Sequence, residues 1–245
     1  MLNGVIAGIT LRQLLSRKRT LLLLLLGGVL VLVAFIVRLA GDPSQAQRVT
    51  AQLLGTIGVA TLMPLVALLF GTGAIGSELD DGTAVYLLAK PIRRSTILLT
   101  KLAIACACSI LLTCLPILLA GVIGAGGLGD GLVLGFVAGA AIGSVLYCAI
   151  FTALSLVTGR ALVFGLGYVL IWEGVLAGLF AGTRTFSVRQ ITLSFADLLA
   201  GVPPETFDAK LDMATAAVMA AVVLAGATFI GVRRLSSLEI AGELA

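Results

Sequence analysis

From Thr20 to Val37 the chain runs 18 residues without a charge. Only Thr20 and the pair Gly27-Gly28 interrupt side chains of Leu, Val, Ala, Phe and Ile. Roughly 20 such residues, wound as a helix, match the thickness of a bilayer's hydrocarbon. The run extends over 20–38, and five more apolar stretches follow it, at 49–77, 96–123, 132–158, 161–181 and 213–232. Charged residues make up 11% of the chain, and the mean hydropathy is +1.17. A water-soluble domain carries roughly 25% charge, so this class is excluded. Backbone polar groups in hydrocarbon must be satisfied within the segment, which a helix does and an open strand does not. The expected fold is therefore all-α, one polytopic membrane domain over 1–245 with six transmembrane helices.

Ahead of the first span, Leu2, Val5, Ile6 and Ile9 keep helical spacing. Leu11, Leu14 and Leu15 follow, among Arg12, Arg17, Lys18 and Arg19. The pattern predicts an amphipathic helix over 2–18 lying in the interface, its bases near lipid headgroups. A cleaved signal peptide is the competing reading. The apolar run is longer than a usual signal core, and Arg38 spoils a small-x-small cleavage site at Ala40.

Six spans place both termini on one side. That side would hold Arg12, Arg17, Lys18, Arg19, Lys90, Arg93, Arg94, Lys101, Arg160, Arg233 and Arg234. The other would hold Arg38, Arg48, Arg184, Arg189 and Lys210. Basic residues concentrate on the cytoplasmic side of membrane proteins, so 11 against 5 puts both termini in the cytoplasm, with a plasma-membrane location. The net charge of +4 then records topology rather than nucleic-acid binding.

Several chemistries find no residues to carry them. There is no His, which removes the commonest metal ligand and the usual general base near neutral pH. Cys106, Cys108, Cys114 and Cys148 all stand inside apolar runs with no CxxC pair, and read as small core residues. Gly71-Thr-Gly-Ala-Ile-Gly76 matches G-x-G-x-x-G, but at the end of an apolar helix, not between a strand and a helix. Close packing of helix backbones explains it better than a dinucleotide. No G-x-x-x-x-G-K-[ST] occurs, so no phosphate-binding loop for ATP is present.

One polar island breaks the oil. Glu78, Asp80 and Asp81 precede Gly82-Thr83, then Ala84–Ala89, then Lys90-Pro91, Arg93, Arg94 and Lys101. Each charge at mid-bilayer costs about 2.5–3.5 kcal/mol, so the segment 78–95 must leave the hydrocarbon. Gly82 allows a turn, Thr83 can cap a helix, and Pro91 ends it. A short apolar helix presenting Leu87 and Leu88 between acids and bases is suited to a partner's grip rather than to free solvent.

Glu78, Gly82-Thr83, Leu87-Leu88, Pro91, Arg93 or Arg94, and Lys101 together resemble the first cytoplasmic loop of ABC transporter permeases of the type-2 exporter class. The N-terminal amphipathic segment resembles that family's elbow helix. The resemblance spans the whole chain and is most specific over 70–101. Trp172-Glu173-Gly174, Gly182-Thr-Arg184 and Ser187-Val-Arg189-Gln190 resemble the same class less specifically. It implies that 78–95 is a coupling loop, with Glu78, Asp80, Asp81, Gly82, Thr83, Leu87, Leu88, Pro91, Arg93 and Arg94 at the contact with an ATPase. It further implies an exporter with two copies of a separate ATPase subunit, which bind ATP and Mg. This chain would hold no cofactor and would pair with a second permease, the same or similar. Asp80-Asp81 is more acidic than a minimal loop of that kind needs.

Glu173 is the one acid deep in an apolar stretch, beside Trp172. Ionisable groups inside membranes are costly and face a bundle interior or a wet cavity, so Glu173 and Trp172 are candidates for a substrate path or a switch. A structural carboxyl bonded to a neighbouring helix is the alternative. Residues 182–211 mix apolar side chains with Arg189 and Asp197 and are expected to form an external loop of short helices. Two other functions remain open: a secondary transporter driven through Glu173, and a polytopic membrane enzyme.

Overall fold

The computed structural model describes residues 17–42, 45–76, 78, 94–128, 131–179 and 181–237, together with Gly8, Thr10, Leu11 and Leu14. Most of the expected interfacial helix 2–18 and residues 79–93 lie outside the described residues. The regular structure described is entirely helical. The helices are α1 (Arg17–Ala40), α2 (Ala46–Gly73), α3 (Arg94–Ala125), α4 (Leu132–Val157), α5 (Ala161–Leu176), α6 (Val188–Ala200) and α7 (Met213–Ser237). Five of them, α1, α2, α3, α4 and α7, are long and apolar enough to cross a membrane.

Contacts at the helix ends give the chain's direction. At one end, Gly76 of the turn after α2 packs on Ser155 of α4, and Gly231 of α7 packs on Leu98 and Leu156. At the other end, Gly124 of α3 meets Thr50 of α2, and Gly131 abuts the Ala200 carbonyl. Gly131 has φ of +73°, a left-handed backbone that a side chain would strain. The chain therefore travels from the Glu78 end to the Ala200 end between Ala161 and Ala200.

That passage is helical without interruption from Ala161 to Leu179, close to the span expected over 161–181, but its pitch changes along the way. It is α-helical to Gly167, a wider π-helix over Tyr168–Leu176, a short turn over Ala177–Leu179, and a 3-10 turn over Ala181–Phe186. α6 completes it. The change of pitch coincides with one side chain. The π segment turns Glu173 inward while Leu170, Ile171 and Val175 face outward. A regular apolar helix has no partner of its own for that carboxyl.

α6 was expected on the outer surface, yet it is inserted in the bundle, with Val188, Ile191, Thr192, Ala196 and Ala200 buried. The cause is a row of glycines on α4, Gly135, Gly139 and Gly143, four residues apart and so on one helix face. A methyl group on Gly135 would stand 2.5 Å from the Ala196 carbonyl oxygen, and one on Gly139 would stand 2.7 Å from that of Thr192. One on Gly143 would collide with the Thr192 hydroxyl. In lipid, such close backbone approach replaces the hydrophobic drive that holds soluble helices together. The pairs run antiparallel, Ala200 with Gly135 and Thr192 with Gly143, so the start of α6 lies about one turn further along, level with residue 147 near the middle of α4.

α2 also changes pitch. It is π-helical over Leu54–Leu62, and Pro64 opens the α-helix that follows. Proline gives no N–H to the carbonyl four residues back and its ring crowds that carbonyl, which the wider turn upstream accommodates. Further on, Gly71 packs against Cys148 and Phe151, and the Thr152 hydroxyl donates to the Gly71 carbonyl at 3.1 Å. The glycine motif at 71–76 thus serves helix packing.

Gly139→Leu is expected to displace α6 and to lower stability by about 1–3 kcal/mol, the usual range for overpacking. Thermal unfolding of the purified protein in detergent reads this out. Gly167→Ala, where the structure leaves open space, is the control and should not lower the transition.

Candidate functional site

The structure builds two polar centres inside the apolar bundle. The first joins the two ends of the polar island. Lys101 stands seven residues into α3, where it is 1% exposed. A cation so buried requires a partner. Its Nζ lies 2.5 Å from Glu78 Oε1 and donates to the Ala74 carbonyl at 2.9 Å. Ala74 caps the C-terminus of α2, where unsatisfied carbonyls gather partial negative charge. Lys101 thus meets a helix end and a carboxylate together. At the start of α3, the Arg94 guanidinium donates to the carbonyls of Leu235 and Ser236 at 3.0 and 2.8 Å. These lie in the last turn of α7, again a favourable place for a cation. The residues on either side of 79–93 are therefore anchored, Glu78 to α3 and Arg94 to α7. Of the ten residues expected at an ATPase contact, the structure places Glu78 and Arg94. Asp80, Asp81, Gly82, Thr83, Leu87, Leu88, Pro91 and Arg93 lie outside the described residues.

The second centre is Glu173, 3% exposed. Its carboxyl ties α5 to the start of α6. Oε1 accepts the Tyr168 hydroxyl at 3.0 Å and the Val188 backbone N–H at 2.8 Å. Oε2 accepts the Ser187 hydroxyl at 2.5 Å. The Ser187 oxygen also caps α6 by accepting the Gln190 N–H at 3.2 Å. A helix N-terminus leaves its first N–H groups without partners, and Glu173 and Ser187 between them supply acceptors. Tyr147 of α4 is fully buried nearby, stacked on Phe151, whose ring meets Tyr168 edge-on. Trp172 is half-buried and shares none of these hydrogen bonds.

The chain matches the family model described as ABC-2 family transporter protein over residues 5–227. The chain belongs to the ABC-2 family of transporter proteins. A comparison with curated proteins gave no match. As an ABC-2 permease the chain is a multi-pass membrane protein and a transport component, not itself catalytic, and the family works with an ABC ATPase. The matched range covers the Glu78–Lys101 pair and the Glu173 centre of the permease.

Sequence reasoning singled out Glu173, and named Ser187 only within a stretch of weaker resemblance; Tyr168 and Tyr147 it missed. One signal for Ser187 was present: Ser187-Val-Arg-Gln190 has the S-x-x-Q spacing that starts helices. The pairing of Lys101 with Glu78 needs the fold, because 22 intervening residues separate them.

Glu78→Gln leaves Lys101 buried without a counter-charge and should destabilise the permease by about 3–5 kcal/mol. The double variant Glu78→Met with Lys101→Met removes both charges and should recover most of that loss. A double-mutant cycle on thermal unfolding checks this; equal loss in single and double variants would count against the clamp.

Glu173→Gln replaces two acceptor oxygens with one, while three donors still converge there. One donor is orphaned, at about 1–3 kcal/mol. The expected result is a folded permease with a lowered melting transition and faster hydrogen exchange at Val188 and Gln190.

Proposed function

We propose that this chain is the membrane-spanning subunit of an ATP-driven exporter, coupled through segment 78–95 to a separate ATPase present in two copies. Family membership together with the two anchored ends of that segment carries the reading. A push on 79–93 would reach α2 and α3 through Glu78 and Lys101, and α7 through Arg94. Asp80, Asp81, Gly82, Thr83, Leu87, Leu88, Pro91 and Arg93 would form the contact itself. ATP and Mg would be bound and used by the partner, while this chain moves. On this reading 161–200 is the fifth of six crossings, in two pieces. Both termini and 78–95 are cytoplasmic, of the expected external loop 182–211 only the part after Ala200 faces the outside, and 2–18 lies in the interface of the plasma membrane.

A polar face on α2 supports a second permease, the same or similar, across a shared path. Arg48, Gln52, Thr56 and Thr61 are all exposed on a helix that otherwise suits a bilayer. The π-helical pitch keeps Thr61, five residues on, in line with Thr56, whose carbonyl accepts the Thr61 hydroxyl at 3.2 Å. Arg and Gln facing lipid are costly, so this face suits water or another protein. Glu173, with Trp172 beside it, would act as the hinge of the broken crossing at the edge of that path.

Leu87→Asp with Leu88→Asp should abolish transport-coupled ATP hydrolysis by the assembled complex without lowering the amount of permease in the membrane. Wild-type coupling in that variant would reduce 78–95 to a connector. A reporter fused after Ala245 should read cytoplasmic, and one placed at 203–206 external; a cytoplasmic reading at 203–206 would overturn the six-crossing topology.

A further inference from the structure

At the Ala200 end of the bundle, α2, α6 and the loop after α6 border an open cavity of about 590 Å³. The α2 wall carries Arg48, Gln52 and Thr56, four residues apart. The first turn of α6 brings Arg189 and Gln190, and the loop brings Glu205, Asp208 and Lys210. The loop is a built wall. The Asp197 carboxylate accepts the Ala209 N–H at 3.1 Å, and the Ser194 hydroxyl donates to the Leu211 carbonyl at 2.8 Å. The Phe207 ring packs on Phe136 with centroids 4.8 Å apart.

The charges in this cavity do not neutralise one another. Arg48, Arg189 and Lys210 form no ion pair with Glu205 or Asp208. Arg189 Nε is buried and has no hydrogen-bond partner. A guanidinium N–H shut away from water without an acceptor bears its full desolvation penalty. Arg189 as a residue also lines the cavity, so its charge joins those of Arg48 and Lys210 around the same space.

The geometry points to a binding site for a phosphate group that carries an amine beside it, the chemistry of phosphoethanolamine. Three cations from three separate elements suit an anion with several oxygens, and guanidinium forks match phosphate in particular. Gln52, Thr56 and Gln190 add neutral partners. Glu205 and Asp208 set the rest of the specificity. They repel a bare polyanion and accept an ammonium group, so an inorganic anion fits less well than a zwitterion. Such a group can arrive as a lipid headgroup or as a soluble phosphoamine.

The test uses the purified full-length chain without an ATPase, so its result does not depend on the coupling reading. Native mass spectrometry compares retention of phosphatidylethanolamine with diacylglycerol, which lacks the headgroup. Calorimetry compares soluble phosphoethanolamine with ethanolamine. Preference for the phosphate compound in the first arm assigns the site to lipid; preference in the second assigns it to a soluble ligand. Either result supports the site, provided that Arg189→Gln and Arg48→Gln each weaken binding roughly tenfold, the size of one lost charged hydrogen bond. Arg48 is exposed, so Arg48→Gln reads the site even where Arg189→Gln disturbs α6. No preference in either arm, or unchanged affinity in Arg48→Gln, overturns it.

Discussion

A helix that begins inside a bilayer starts with backbone N–H groups that no water can reach. α6 begins this way, level with the middle of α4, and its first turn is completed by Glu173 and Ser187. In hydrocarbon such unsatisfied groups cost several kcal/mol each, so irregular backbone survives there only when protein covers it. Glu173 supplies the cover. It sits in the π-helical part of α5, and the tie it makes fixes where α6 can stand. The glycine face of α4 then lets α6 come close enough to be enclosed. Remove any one of the three, and the broken passage from Ala161 to Ala200 loses its reason to hold.

The Glu78 end solves a related problem with opposite charges. Lys101 is a cation in an apolar helix, and its partners are a carboxylate and a helix terminus. Buried pairs of this kind add little net stability compared with apolar packing, but breaking one is severe. Their effect is to fix geometry. Lys101 sets α2 against α3, and Arg94 sets α3 against α7. Three long helices are thereby tied at one end, on either side of the segment that the family resemblance assigns to a partner. On the proposed reading, force from an ATPase would enter where these ties converge.

The two centres stand at different depths, and both touch the frame formed by α2, α3 and α4. Phe151 links them through packing: it contacts Gly71 of α2 on one side and the rings of Tyr147 and Tyr168 on the other. A shift of α2 relative to α4 would therefore be felt by Tyr168, one of the groups that hold Glu173. This gives a physical route of packed side chains from α2 to the Glu173 centre.

The sequence by itself determined the class. Apolar runs of bilayer length dictate helices, because hydrocarbon offers the backbone nothing else to bond. The island around Glu78 had to leave the membrane for the same reason, and its residues carried the resemblance to the family that the chain proves to belong to. Glu173 also stood out, since a lone acid in oil must have a partner. What the sequence withheld was the partner. Ser187 and Val188 lie 14 and 15 residues away, and Lys101 lies 23 residues from Glu78. Local periodicity has no information at that range. The apolar content of 161–181 reads as one straight span, because hydropathy counts side chains and not the pitch that carries them. Only the tertiary structure decided that this passage breaks and that α6 enters the bundle. Those outcomes depend on the close approach of glycine backbones on α4 and on a carboxyl finding donors on another segment, both long-range contacts.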